Sequence, residues 1–350
     1  MAYNYVITHK GKAPKVSSNK ILKYEAWPSI AMLTSSEPFS AGWPFLEVFN
    51  LDTSSKIFSV TASAAFQYTK IARNDNHGNL WFGLISENTP QPVYTLFKYS
   101  LSGSKILELQ LGTASGENCY YITIDNKQNI YAAGVNKIYK FDNNGTLLDY
   151  VDRPYKQPQL GITNPIYLEY ADNHIFVVGD VGINSYLWKY DTDLNLQWTF
   201  YITTSNYPYS FDVDYNGYSY IGYGTTVVQV TPSGATGWSS TGGGSSIGGN
   251  STATDRQNNV YLSRASNTPL KYSSAGVTQS MSGPSLSIWF DVDSYDRVIS
   301  VDSVNGSGAN PKLDTIKINS STGASMSSFT FSSVVTTGLA NKLTTYKWIR

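Results

Sequence analysis

Alternating apolar and polar positions dominate this chain from Lys20 onward, in short runs broken by Asp, Asn, Gly and Ser. Period two over runs of strand length predicts β-strands, because successive side chains point to opposite faces of a sheet. No stretch keeps apolar residues at i, i+3 and i+4 long enough to argue for a helix. The clearest unit runs from Ile122 to Val151, ITIDNKQNIYAAGVNKIYKFDNNGTLLDYV, and holds three short strands and two tight turns. It recurs. KIARNDNHGNLWFGL with YTLFKYSLSGSKILEL precedes it, and YLEYADNHIFVVGDVGINSYLWKYDTDLNLQWTF, SFDVDYNGYSYIGYGTTVVQVTPSGATGWS, TATDRQNNVYLSRASNTPLKYSSAGVTQSM and FDVDSYDRVISVDSVNGSGANPKLDTIKINSSTGASMSSF follow. A less regular unit, ILKYEAW, SIAMLTS and FLEVFNLDTSSKIFSV, opens the series.

Aligned on the first turn, Asp75, Asp125, Asp172, Asp214, Asp255 and Asp293 lie 50, 47, 42, 41 and 38 residues apart. That period suits four-stranded propeller blades and excludes helical repeats. The aspartate reads first as a turn-maker, since its carboxylate can accept backbone N–H groups two residues on while a following Gly or Asn tolerates positive φ. A second turn recurs as FDNNG (141–145), YDTDLN (190–195), VTPSG (230–234), YSSAG (272–276) and NSSTG (319–323), mostly ending in the glycine a hairpin needs. The alternation of D-x-x-G/N, an IYAAG-like strand, a K-x-Y/F strand and a Gly turn resembles the NHL and related bacterial propeller repeats. The resemblance covers nearly the whole chain after residue 20. It implies an all-β β-propeller of about seven four-stranded blades, and no particular activity. Residues 1–19 read as a short extended basic arm and 20–350 as the propeller domain. A propeller must pair its first and last blades, and Leu343 to Ile349 competes with Tyr5 to Thr8 as the closing strand.

Composition adds constraints on partners. Charged residues make up only 14% and aromatic residues another 14%, with 27 Tyr and 8 Trp, a balance that suits many half-buried strands. The 25 basic and 25 acidic residues cancel, so the bulk attraction of a nucleic-acid binder is missing and no nucleic-acid partner is expected. The charge is unevenly placed, however: Lys10, Lys12, Lys15, Lys20 and Lys23 all precede Glu25, the first acidic residue. Such an arm is expected to anchor on an acidic partner surface, its bland alternative being a solvated tail. The single cysteine, Cys119, excludes internal disulfides and reads as a small buried apolar residue. The N-terminal stretch has no apolar core of signal-peptide length, and no later run nears the roughly 20 apolar residues of a membrane span, so neither export by a signal sequence nor a span is expected.

The residues offer little for catalysis. His77 and His174 fall in first turns two units apart, and no Cys or further histidine stands near either in the sequence, so no metal is expected there. D-T-D-L-N at 191–195 begins like a calcium loop, but Leu196 replaces its glycine and Ile202 its closing glutamate, which favours a hairpin turn. GGGSSIGGN (242–250) lacks the lysine and the strand-to-helix context of a phosphate cradle. The chain is therefore expected to be non-enzymatic and without cofactor, a propeller lyase or hydrolase being the distant alternative. In this blade type, the loops joining strands two to three and strand four to the next blade gather on one face. Tyr155, Tyr207, Tyr209, Tyr223 and Glu87 are its candidate binding residues, because tyrosines on short loops give stiff amphipathic contacts. Trp81, Tyr131, Phe176 and Tyr220, at equivalent positions inside strands, are expected in the core. Low charge, richness in Tyr, Ser, Thr, Asn and Gly, and the arm together point to a bacteriophage virion component, in the tail, a fibre or the head decoration. Lys10, Lys12, Lys15 and Lys20 would anchor it to other virion proteins, and the loop face would meet a host glycan or protein. The alternative is a bacterial surface or secreted glycan-binding propeller.

Overall fold

The computed structural model describes residues 30–34, 44–61, 66–68, 72–75, 78–86, 93–111, 121–134, 137–153, 165–181, 184–204, 208–241, 252–262, 270–279, 281, 289–293, 295–304, 312–333 and 342–345. Their strands, in chain order, are β1 (Ile30–Thr34), β2 (Pro44–Asn50) and β3 (Ser55–Thr61) in sheet 1, and β4 (Phe66–Tyr68), β5 (Ala72–Asn74), β6 (Leu80–Ser86), β7 (Val93–Tyr99) and β8 (Lys105–Gln110) in sheet 2. Sheet 3 holds β9 (Tyr121–Ile124), β10 (Ile130–Ala133), β11 (Lys137–Phe141) and β12 (Leu147–Asp152); sheet 4 holds β13 (Pro165–Ala171), β14 (His174–Val181), β15 (Asn184–Asp191) and β16 (Leu196–Thr204). Sheet 5 comprises β17 (Pro208–Val213), β18 (Ser219–Tyr223), β19 (Thr226–Val230) and β20 (Thr236–Thr241), and sheet 6 comprises β21 (Thr252–Thr254), β22 (Val260–Leu262), β23 (Leu270–Tyr272) and β24 (Thr278–Gln279). Sheet 7 is β25 (Trp289–Val292), β26 (Val298–Val304), β27 (Lys312–Asn319) and β28 (Ser325–Ser333), and β29 (Lys342–Thr345) returns to sheet 1.

Six of these sheets have four antiparallel strands in meander order; in sheet 2 both β4 and β5 pair with β6, which makes five. The innermost strands β5, β9, β13, β17, β21, β25 and β29 touch in that order, the arrangement of a β-propeller. Of the two closing strands the sequence offered, Leu343 to Ile349 is in place as far as Thr345, β29 pairing with β1 from Ala31↔Thr345 to Thr34↔Lys342, and its remainder lies outside the described residues. Tyr5 to Thr8, like the whole 1–19 arm, lies outside the described residues. Among the described residues no helix is long and apolar enough to cross a membrane.

The second strands are buried on both faces, β10 at every residue and β14 and β18 at nearly every one. Trp81, Tyr131, Phe176 and Tyr220 are fully buried; the first three belong to a cluster with Ile122, Ile130, Val177 and Leu187, and Tyr220 packs with Val227, Val260, Leu262 and Tyr272. Outer strands are far more exposed, β8 and β20 alternating and β12 exposed at nearly every residue.

The first-turn aspartates behave as turn-makers. Asp125 is typical: its Oδ1 accepts the N–H groups of Lys127 and Asn129, and its Oδ2 accepts from Asn129 Nδ2 at 2.8 Å and the Tyr131 hydroxyl at 3.1 Å. Asp255 repeats the set with Gln257, Asn259 and Tyr261, and Asp75 closes its turn on Asn79 and Trp81. Asp172 departs from the alignment. In sheet 4 the hairpin is cut to two residues, Asp172 and Asn173, both left-handed at φ 48 and 58. The D-T-D-L-N stretch is a hairpin turn in which Asp191 Oδ1 accepts the N–H groups of Asp193 and Asn195.

Candidate functional site

Most of the conspicuous polar residues are spent on joining sheets. In sheets 2, 3, 4 and 6 the third-strand lysine that directly precedes a Tyr or Phe leaves its own sheet and donates to the outer turn of the next. Lys98 Nζ reaches Asn143 O at 3.2 Å and Oδ1 at 2.7 Å, Lys140 reaches Thr192 O at 2.7 Å, Lys189 reaches Pro232 O at 3.0 Å and Lys271 reaches Ser321 O at 2.9 Å. In sheet 5 Gln229 replaces lysine and bonds Ser274 O at 2.9 Å. Each cation also lies over the aromatic of its own second strand, for example Lys271 at 4.9 Å from the Tyr261 ring and Lys98 at 5.0 Å from that of Trp81. The same turn carbonyls take the indole N–H of the preceding outer strand, Trp198 on Pro232 O and Trp238 on Ser274 O. The turn glycine is required here: at Gly276, with φ +78, a Cβ would stand 2.7 Å from the Trp238 ring.

A second polar series lines the innermost strands, at the residue opposite the aromatic of the second strand or, in sheet 7, opposite the isoleucine in its place. It reads Arg73 opposite Trp81, Thr123 opposite Tyr131, Glu169 opposite Phe176, Asp212 opposite Tyr220 and Asp291 opposite Ile299. Arg73 and Glu169 form an ion pair although sheet 3 stands between their sheets, so the pair passes over the inner edge of β9. Asp212 accepts the backbone N–H of Thr254 at 2.7 Å and its hydroxyl at 2.9 Å, which ties sheet 5 to sheet 6. Tyr121 and Tyr167 pack 5.6 Å apart beside the ion pair, and burial raises both hydroxyls far above the usual tyrosine range. The sequence carried a signal for this column that the turn alignment passes over: a polar residue two before the turn aspartate, as in R-N-D (73–75) and D-V-D (212–214 and 291–293).

Arg153 follows the last residue of β12 and is buried between sheets 3 and 4. Its guanidinium lies over Gly179, where a Cβ would collide with it, and 5.3 Å from the Trp188 ring. Burial pushes its pKa down to about 10, with the Tyr190 and Asp180 side chains opposing. Asp180 is raised, chiefly by burial, against the Ser185 hydrogen bond and the Arg153 charge. These groups hold positions and charges; among the described residues no group of three or more His, Cys, Asp and Glu side chains could hold a metal ion.

Of the loop-face candidates only Tyr223 is described in full. It ends β18, half-buried against the core, and burial raises its hydroxyl. Tyr209 lies in β17, with its side chain outside what the structure describes. Tyr155, Tyr207 and Glu87 lie outside the described residues, as do Lys10, Lys12, Lys15 and Lys20 of the arm, and also Cys119, His77 and the 242–250 run. His174 is placed at the start of β14, its Nδ1 2.6 Å from Asp172 O.

No protein-family model and no curated protein matches the chain. Solved structures do. A streptogramin B lyase superposes with a TM-score of 0.56 at 13% identity, over 77% of this chain and 94% of its own. The Pan2 WD40 domain of Neurospora crassa gives 0.53 at 9% identity, over 79% and 86%. Virginiamycin B lyase from Staphylococcus aureus gives 0.51 at 14%, over 71% and 87%. At such identities the likeness shows the β-propeller fold and nothing of the chemistry.

Proposed function

We propose that this protein is a non-enzymatic structural and binding propeller, a bacteriophage virion component that assembles through its N-terminal arm and presents its loop face to the host or to a neighbour. We count the five-stranded sheet 2 as a blade with an interrupted inner strand, which makes the ring seven-bladed and of the NHL-like type. The observation that carries the functional reading is the use made of the repeated polar residues. Aspartate, lysine, tyrosine and tryptophan, the types from which a site would be built, are committed to turns and to joints between sheets. That leaves recognition to the segments between strands and to the basic N-terminal stretch, with its five lysines from Lys10 to Lys23.

The test is assembly. A chain with Lys10, Lys12, Lys15 and Lys20 changed to Glu is expected to fold as the parent does and to be absent from particles purified on a density gradient. Undiminished incorporation would overturn the anchoring role. Saturable binding on a glycan array, lost in Tyr155→Ala/Tyr207→Ala, would instead favour a surface or secreted glycan-binding propeller.

A further inference from the structure

Each latch of the ring ends on a main-chain carbonyl, that of Asn143, Thr192, Pro232, Ser274 or Ser321, and of these five residues only Asn143 carries a side-chain carbonyl as well. Lys98 Nζ meets both, O at 3.2 Å and Oδ1 at 2.7 Å. A C=O bond is about 1.2 Å long, so the lysine nitrogen stands within about 4 Å of Asn143 Cγ. Rotation of the amide about χ2, a broad and soft torsion, presents its face to that nitrogen. A proton acceptor stands at the same nitrogen: Asp75 Oδ2 is 3.7 Å from Nζ, held by Asn79 Nδ2 at 2.9 Å and Trp81 Nε1 at 3.3 Å. The Lys98 side chain is 9% exposed and that of Asp75 0%, and the centre of the Trp81 ring lies 5.0 Å from Nζ. Out of water an ammonium–carboxylate couple exchanges its proton, and becomes neutral, at less cost than in solvent. Among the described residues nucleophile, amide and proton acceptor meet at no other latch. Lys271 has Asp255 at 4.0 Å but only the Ser321 carbonyl before it, and Lys140 faces Asp193, an exposed carboxylate that an amine does not attack.

We propose that Lys98 and Asn143 join in an intramolecular isopeptide bond that staples sheet 2 to sheet 3. The Lys98 ammonium passes one proton to the Asp75 carboxylate, and the free amine attacks Asn143 Cγ, forming the Nζ–Cγ bond. Asp75 hands its proton to Nδ2 as the Cγ–Nδ2 bond breaks, and the departing nitrogen takes a second proton from Nζ and leaves as ammonium. Lys98 Nζ becomes an amide nitrogen, Asp75 is again a carboxylate, and no oxidant, reductant or further reactant is consumed. The fold supplies the rate by holding the two groups together, so that a bimolecular reaction becomes an intramolecular one. The bond joins residues 45 apart and makes one joint of the ring covalent, where the other latches stay reversible.

Intact-mass spectrometry of the full chain reads the bond directly. After incubation at neutral pH the parent is expected to weigh about 17 Da less than its sequence, the mass of one ammonia, and a proteolytic digest to yield a branched peptide joining Lys98 to Asn143. Lys98→Arg and Asn143→Ser are expected at full mass; the serine copies the turns of sheets 6 and 7, so folding is not at issue. Asp75→Asn, which keeps an acceptor for its turn but takes no proton, should slow the mass loss about a hundredfold. A parent that keeps its full mass overturns the proposal. So does a loss that persists in Lys98→Arg, because ring closure at Asn144–Gly145 or Asn216–Gly217 releases the same ammonia without joining the sheets. A parental rate in Asp75→Asn overturns the part assigned to that carboxylate.

Discussion

Sheets 2 to 7 and the two joints of sheet 1 hold the ring together by different means. From sheet 2 to sheet 7 every step is tied by a lysine or glutamine reaching a carbonyl of the next outer turn. At the equivalent position sheet 7 has Ile318, opposite Ile299, and sheet 1 has Val48, opposite Met32. Aromatic and cation are absent together in sheets 7 and 1, while sheet 5 keeps the aromatic Tyr220 and latches with Gln229; wherever the latch is a lysine, its ammonium has both a ring beneath it and a carbonyl beyond it. Sheet 1 instead leans on Phe58, stacked 6.3 Å from Tyr99 and packed on Gly103, and on the Arg297–Asp52 pair at 3.5 Å from sheet 7. The joints beside the closing strand are therefore apolar or exposed, and the interior joints are polar and specific. Apolar contact tolerates small shifts of register, whereas a lysine on one carbonyl does not, so the latched series sets the pitch of the ring and sheet 1 takes up the remainder.

The largest contrast is expected from the carboxylates. Asp125→Ala would orphan two backbone N–H groups and the Asn129 amide and leave the Tyr131 hydroxyl with Thr192 O alone, at a cost of about 3 kcal/mol. Asp52→Ala, which removes the exposed partner of Arg297 at the joint of sheets 7 and 1, should cost less than about 1 kcal/mol. Denaturant midpoints of the two variants check this, and equal losses would erase the distinction between the regions.

A smaller difference is expected from the latch. Lys140→Met keeps the aliphatic bulk and removes the charge-assisted bond to Thr192 O together with the exposed contact to Asp193 at 3.4 Å, while Thr192 O retains the Tyr131 hydroxyl at 2.9 Å; about 1.5 kcal/mol should be lost. Ile318→Met at the unlatched position is a volume-conserving exchange and should stay within about 1 kcal/mol. If the two substitutions prove equal, the lysines are passengers of the repeat.

The latch also marks where the sequence stopped being readable. Turns were legible because their chemistry is local: Gly103, Gly145, Gly234, Gly276 and Gly323 all take positive φ, as the recurring turn pattern required. The buried aromatics were legible because they recur at one position of apolar second strands, which are buried on both faces. Lys140 looked like an ordinary polar strand residue, since its acceptor is a main-chain carbonyl in the next sheet, and a carbonyl leaves no mark in a sequence. Asp172 misled for a related reason. It keeps the spacing of the aspartate column, yet two successive left-handed residues shorten the hairpin and remove it from the set. The Arg73–Glu169 pair joins residues 96 apart across a third sheet, so only the closed ring brings them together. Tyr155 and Tyr207 stand out by residue type alone, and a residue type does not by itself give a loop its shape.

The smallest expected effect separates the same two regions by pH. In sheet 3 the second turn is closed by Asp142, whose Oδ1 accepts the N–H groups of Thr146 at 2.7 Å and Asn144 at 2.9 Å. In sheet 7 the corresponding turn is closed by Ser320 Oγ, which accepts from Ala324 N at 3.1 Å. The Thr146 N–H, with that of Asn144 in support, holds the Asp142 carboxyl below its usual value of 3.8 against the opposing effect of desolvation. A carboxylate with a depressed native pKa contributes stability that is fully present above its unfolded value and is lost as pH falls through the lower native value. Asp142→Ala should therefore melt below the parent by a constant interval at neutral pH, and that interval should narrow once the pH drops below about 3.8. Ser320→Ala should cost about 1 kcal/mol at every pH, because no titrating group is removed. Melting curves from pH 7 to pH 2.5 decide the matter: a pH-independent interval for Asp142→Ala would mean that its side chain holds the turn through geometry rather than charge, and the two turns would then differ only in composition.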